Sequence, residues 1–215
     1  MSQFRGVGGD PQIVDHLDQA SSSGDLDAGS GGVVDSLVVS ARQGAINEVL
    51  IVDPGIDDAP ILVDGRRAGI EIVHLSSGGR GLEQIAGHLG GLHDIATVHL
   101  VCHGEPGVLV LAGDRIDLPA LAMRRAVLAD MAKAFRPGGI VALYGCSVAA
   151  GAAGLQFLDY FEAALGVGVA ASAGPVGAAA LGGRWTLRNR YGAPVETAFS
   201  PLTRATYPAL LTTMR

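Results

Sequence analysis

Val49-Leu50-Ile51-Val52-Asp53-Pro54-Gly55 is an unbroken apolar run closed by turn residues. A strand without polar alternation is covered on both faces, and such strands belong to parallel sheets packed between helices. The same pattern recurs downstream. Residues 70–75 make a second strand, closed by Ser76-Ser77-Gly78-Gly79; residues 96–102, 140–144 and 167–171 make a third, fourth and fifth. Leu82, Ile85, Ala86, Leu89 and Leu92 recur at helical spacing, a further helix spans roughly 118–135, and another follows Gly151. Alternating strands and helices predict an α/β three-layer sandwich around a mostly parallel sheet.

Two inserts interrupt the alternation. Val108-Leu109-Val110-Leu111 and Arg115-Ile116 flank a Gly113-Asp114 turn and read as a small hairpin. Residues 180–199, with Trp185, Leu187 and Tyr191 in alternation, read as a second, and residues 202–214 as a short closing helix interrupted by Pro208. Trp185 is expected to anchor the core beneath that hairpin. Gly78-Gly79-Arg80-Gly81 lacks the Lys-Ser/Thr of a nucleotide-binding loop and reads as a strand-to-helix turn.

The chain has 215 residues, 48% of them hydrophobic, enough for one well-buried domain and a tail. The tail is expected over residues 1–45, a flexible N-terminal arm punctuated by Ser21-Ser22-Ser23-Gly24 and Gly29-Ser30-Gly31-Gly32, with a helix over 33–44; the α/β domain then occupies 46–215. A net charge of -6 and scattered basic pairs, Arg66-Arg67 and Arg124-Arg125, argue against nucleic acid as a partner. No run of about 18 apolar residues exists, so no membrane-spanning helix is expected. The start, Met1-Ser2-Gln3-Phe4-Arg5, lacks the apolar core of a secretory signal, which points to the cytoplasm and leaves export by a signal-independent route open.

Ligands of parallel sheets bind outside the carboxyl ends of the strands. Strand three ends in His103-Gly104 and strand four in Gly145-Cys146-Ser147. If the two strands are neighbours, an imidazole and a thiol share one crevice. A free thiol is only a few per cent ionised at neutral pH, and a histidine beside it takes the proton and later returns it to a leaving amine. His103 and Cys146 are thus the candidate catalytic pair, and the backbone N–H groups of Gly104 and Cys146 are candidate oxyanion donors. Asp53, ending strand one, either caps its own turn or acts at the site, selecting a basic substrate side chain or orienting the histidine. Ser172, ending strand five, either lines a substrate pocket or begins the Ala173-Gly174-Pro175 loop. With only two cysteines the chain has no disulfide framework, and with neither CxxC nor HExxH a zinc site is disfavoured. Strand alternation points Cys102 away from His103, as a core thiol.

An apolar strand ending in His-Gly followed by one ending in Gly-Cys resembles the caspase–gingipain–separase clan of cysteine peptidases. More narrowly, Val101-Cys102-His103-Gly104, Leu143-Tyr144-Gly145-Cys146-Ser147-Val148-Ala149-Ala150-Gly151, Val169-Ala170-Ala171-Ser172, Ala180-Leu181-Gly182-Gly183-Arg184-Trp185-Thr186-Leu187 and Ala198-Phe199-Ser200 resemble domain of unknown function 4347. That bacterial family often stands near the front of large repeat-containing surface proteins. The likeness covers roughly residues 47–211. It implies a caspase-like sheet, a His103–Cys146 dyad and hydrolysis of peptide or protein substrates without a cofactor. The alternative it leaves is a catalytically silent binding or export module. Cys102 departs from the small hydroxyl residue usual before the histidine.

Overall fold

The computed structural model describes residues 46–212. The arm expected over 1–45 and its 33–44 helix lie outside the described residues. In chain order the elements are β1 (Glu48–Val52), α1 (Ala59–Asp64), β2 (Ile70–His74), α2 (Gly81–Leu89), β3 (Ile95–Val101), β4 (His103–Glu105), β5 (Val108–Leu111), β6 (Asp114–Ile116), α3 (Leu118–Met123), α4 (Arg125–Ala132), β7 (Phe135–Tyr144), α5 (Gly151–Leu165), β8 (Gly168–Ala171), a 3-10 turn (Ala179–Leu181), β9 (Arg188–Asn189) and α6 (Pro201–Thr206).

Six strands form one sheet in the order β2-β1-β3-β7-β8-β9. The first five run parallel, and β9 is antiparallel to β8. The mixed α/β architecture is the one expected. It follows from the apolar runs, whose alternate residues feed two separate cores. Val49 and Ile51, Val98 and Leu100, Val141 and Leu143, Val169 and Ala171 meet the helical residues Leu82, Leu121, Leu128 and Phe157 on one face. Leu50 and Val52, Val101, Ala142 and Tyr144, and Ala170 meet Leu62, Trp185, Phe199 and Tyr207 on the other. Each fully buried aliphatic side chain contributes about 1.5–3 kcal/mol, so a one-residue slip in any strand would exchange two cores at once. Trp185 is 9% exposed and stacks edge-on to both Phe199 and Tyr207, as a core anchor.

Several local expectations are revised. The helix over 118–135 is two helices, broken at Arg124, whose backbone leaves the helical region. The hairpin over 108–116 is the outer part of a three-stranded antiparallel sheet, because His103–Glu105 pairs with Val108–Val110 as its third strand. The stretch 180–199 supplies only β9, which folds back through an Arg188–Pro194 bridge. The closing helix stops at Thr206, two residues before Pro208, and residues 209–212 are non-helical, with bends at Ala209 and Leu211 and bridges at Leu210 and Thr212.

Candidate functional site

The sheet order reverses between β1 and β3: the chain moves outward from β1 to β2, then resumes on the other side with β3, β7 and β8. At such a switch point the loops beyond the strand ends part and leave a crevice. A cleft of about 530 Å³ opens there, lined by Asp53, Pro54, Gly55, His103, Ala112 and Asp114 among others.

His103 is held in that cleft by one ring nitrogen. Its Nε2 lies 2.9 Å from the carbonyl oxygen of Gly55. A carbonyl only accepts, so Nε2 carries the hydrogen and Nδ1 of the neutral ring keeps its lone pair. Nδ1 is buried and has no hydrogen-bond partner. Asp53 is the support for this arrangement. It is 3% exposed, and its carboxylate accepts from the N–H of Gly55 and from the N–H of Ala112 in the turn between β5 and β6. With both oxygens occupied by backbone donors, Asp53 fixes the turn whose carbonyl orients the imidazole.

The tips of β3 and β7 lie side by side. Val101 pairs with Tyr144, the Cys102 N–H donates to the Tyr144 carbonyl at 3.1 Å, and a Cβ added to Gly104 would lie 2.9 Å from the Cys146 carbonyl and 2.6 Å from Val148 Cγ2. Glycine at 104 is therefore needed so that the two tips can touch. Ser147 follows the thiol with φ of 58°, a left-handed geometry that costs a non-glycine residue about 1–3 kcal/mol and is held by its N–H to the Gly174 carbonyl at 2.9 Å.

Cys146 does not line the cleft that His103 lines. It is 4% exposed, and its Sγ lies 3.2 Å from the Val176 amide nitrogen and 3.5 Å from the Val176 carbonyl oxygen. Burial pushes the thiol pKa up, while the nearby backbone N–H groups of Val176 and Leu211 pull against it. The Cys146 N–H donates to the Leu211 carbonyl at 3.0 Å. Cys102 is fully buried in the opposite core, and its pKa is raised by burial first and then by Asp53 and Cys146. Ser172 both begins its loop, with Oγ bonded to the N–H and carbonyl of Gly174, and lines a second cleft of about 620 Å³ with Arg184, Arg188 and Arg190. Among the described residues no cluster of three or more His, Cys, Asp or Glu could hold a metal ion, and no helix is long and apolar enough to cross a membrane.

Sequence reasoning did not single out Gly55, Val176 or Leu211. Gly55 had a local signal, since a turn closing the strand next to β3 must pass the tip of β3. The other two reach Cys146 only through long-range pairing, which leaves no local pattern.

The molecule is thus a mixed α/β domain that gathers an oriented imidazole and a buried thiol at the carboxyl edge of a mostly parallel sheet. It belongs to the family described as a domain of unknown function (DUF4347), whose model matches residues 49–211. No curated protein matches the chain. One solved structure, described as the crystal structure of a small-chain dehydrogenase, is similar at a TM-score of 0.28 and 10% identity, over 55% of this chain and 71% of that one. A likeness that low carries no argument about activity.

Proposed function

We propose that this domain is a cysteine endopeptidase of the caspase–gingipain–separase type, hydrolysing peptide bonds through His103 and Cys146. The observation that carries the reading is the half-engaged imidazole: Nε2 is fixed on Gly55, Nδ1 is buried without a partner, and the next residue, Gly104, packs against the Cys146 carbonyl. A general base needs that combination of fixed orientation and free acceptor. Nδ1 takes the thiol proton, the sulfur attacks the substrate carbonyl, and the same nitrogen returns the proton to the leaving amine. Water then releases the acyl group. Catalytic hydrogen bonds often tighten only when substrate binds, so a resting thiol turned toward Val176 is compatible with this chemistry.

One observation favours a second reading, a catalytically silent binding or export module: Cys146 is 4% exposed with a raised pKa. Alkylation by iodoacetamide near neutral pH separates the two. Rapid modification of Cys146 that is lost in His103→Ala is the expected result. Equally slow modification in both proteins would support the silent module. Digestion of a peptide library should then be lost in Cys146→Ala; cleavage undiminished in that variant would remove the dyad from the mechanism.

A further inference from the structure

The segment after Pro208, with bends at Ala209 and Leu211 between the bridge residues Leu210 and Thr212, lies across the Cys146 tip in the manner of a bound peptide. Its residues pair by alternation with the loop that follows β8: the Ala178 N–H donates to the Ala209 carbonyl at 2.8 Å, and the Leu211 N–H donates to the Val176 carbonyl at 2.9 Å. Gly177 and Leu210 form the antiparallel bridge between them, and on the far side Thr212 bridges Gly104 in parallel. This is strand addition, in which main-chain bonds hold the segment and pockets take its side chains. The edge is shaped for it. Gly177 has φ of 128°, and a Cβ there would come within 2.3 Å of the Ala209 carbonyl oxygen.

Two features distinguish this segment from an ordinary terminal tuck. The first is the Leu211 carbonyl, which accepts from the N–H of Cys146 itself. A carbonyl held by the amide of the nucleophilic residue lies where negative charge develops during acyl transfer. The second is the Leu211 side chain, fully buried in the apolar cluster that contains Cys146, Val176 and Tyr207. The backbone N–H of Leu211 also lies near enough to the Cys146 sulfur to favour its ionised form.

Resting on the peptidase reading above, we infer that residues 209–212 occupy the substrate groove and that the Leu211–Thr212 bond is cut by the chain's own Cys146. The atoms balance as a hydrolysis. The sulfur bonds to the Leu211 carbonyl carbon as the bond to the Thr212 nitrogen breaks, and the thiol proton passes through His103 to the Thr212 amine. Water then splits the thioester to give a Leu211 carboxylate and the free thiol. The substrate class that follows is an extended peptide with leucine immediately before the cut and a small residue two positions earlier. Until the segment leaves, it also excludes other peptides.

The test uses the full chain, incubated at neutral pH and followed by intact mass and by sequencing of the released fragment. The expected result is loss of residues 212–215 over time, absent in Cys146→Ala and slowed roughly 100-fold in Leu211→Asp, whose charge does not suit an apolar pocket. A second measurement uses Gly177→Ala, which expels the segment, after circular dichroism has shown that it folds. This variant should cleave a fluorogenic Pro-Ala-Leu-Leu peptide faster than wild type does, and should leave the matched peptide ending in Asp intact. If the chain stays whole, and a library shows Cys146-dependent cleavage after residues other than leucine, the self-substrate inference is overturned while the peptidase reading stands. If nothing is cut by either protein, both are overturned.

Discussion

His99 and His103 stand four residues apart, and the contrast between them separates a ring with both nitrogens occupied from a ring with one left open. His99 is fully buried within β3, with Nε2 2.9 Å from Glu48 Oε2 and Nδ1 3.3 Å from the Tyr144 hydroxyl. Glu48 is bridged in turn by Arg67 at 2.6 Å, and the Tyr144 hydroxyl accepts from the Ala198 N–H at 3.0 Å. Every polar atom of that imidazole is occupied, so the network ties β1, β3 and β7 to the 197–198 segment. His103, two residues past β3 at the start of β4, has one nitrogen occupied and one without a partner. A closed network stabilises a fold, because each buried polar group would be costly if left unpaired. A buried ring nitrogen without a partner costs stability, and under the peptidase proposal it is the atom that takes the thiol proton.

The sharpest way to break this contrast is to delete each ring in turn. In His103→Ala we expect peptide hydrolysis to fall roughly 10⁴-fold or more in kcat, with stability within about 1 kcal/mol of wild type. In His99→Ala we expect the reverse. Glu48 and Tyr144 lose their shared partner, stability falls by about 2–4 kcal/mol, and the melting temperature drops by about 5–10 °C. Activity per folded molecule should stay near wild type. Denaturant melts paired with active-site-titrated rates check both, and a large rate loss in folded His99→Ala would dissolve the distinction.

Asp53 lies between the two categories and sharpens them. Its carboxylate accepts from two backbone N–H groups, the part-buried one of Gly55 and the buried one of Ala112, and an amide can accept only from one in that geometry. Asp53→Asn should therefore cost about 1–3 kcal/mol in stability. Because Gly55 also presents the carbonyl that fixes His103, kcat should fall while KM changes little. A change in KM for peptides with basic side chains, with kcat retained, would instead place the Asp53 carboxylate against substrate.

The strands were legible because buried parallel strands need unbroken apolar runs, as in residues 49–52 and 140–144. The positions of His103 and Cys146 at strand ends followed from the same runs. Their adjacency did not: it needs β3 beside β7, and strand order depends on which helices cover which face. β4 was missed because three residues carry no periodicity, so His103-Gly104 read as a strand end when it also opens a second sheet. The closing stretch 202–214 reads as a helix interrupted by Pro208, whereas the proline follows the end of helical geometry at Thr206. The residues flanking Cys146 likewise give no hint that its amide holds the chain's own Leu211.

The smallest expected effect tests the closed network from its exposed end. The hydrogen bond from His99, followed by the charge of Arg67, holds the Glu48 carboxyl below its usual value of 4.5, against an upward push from partial burial. A carboxyl whose folded pKa is depressed contributes stability that is fully present above its unfolded value and is lost as pH falls through the folded one. Wild type should therefore be more stable than Glu48→Gln at pH 7, and the gap in melting temperature should close as pH drops below about 4.5. Glu48 is partly exposed, so added salt should shrink the gap as well. A gap that stays constant down to pH 3 would mean that the glutamate acts by shape and not by charge. The His99 cluster would then be held by its neutral hydrogen bonds alone, and its contrast with His103 would rest on occupancy of the ring nitrogens and not on electrostatics.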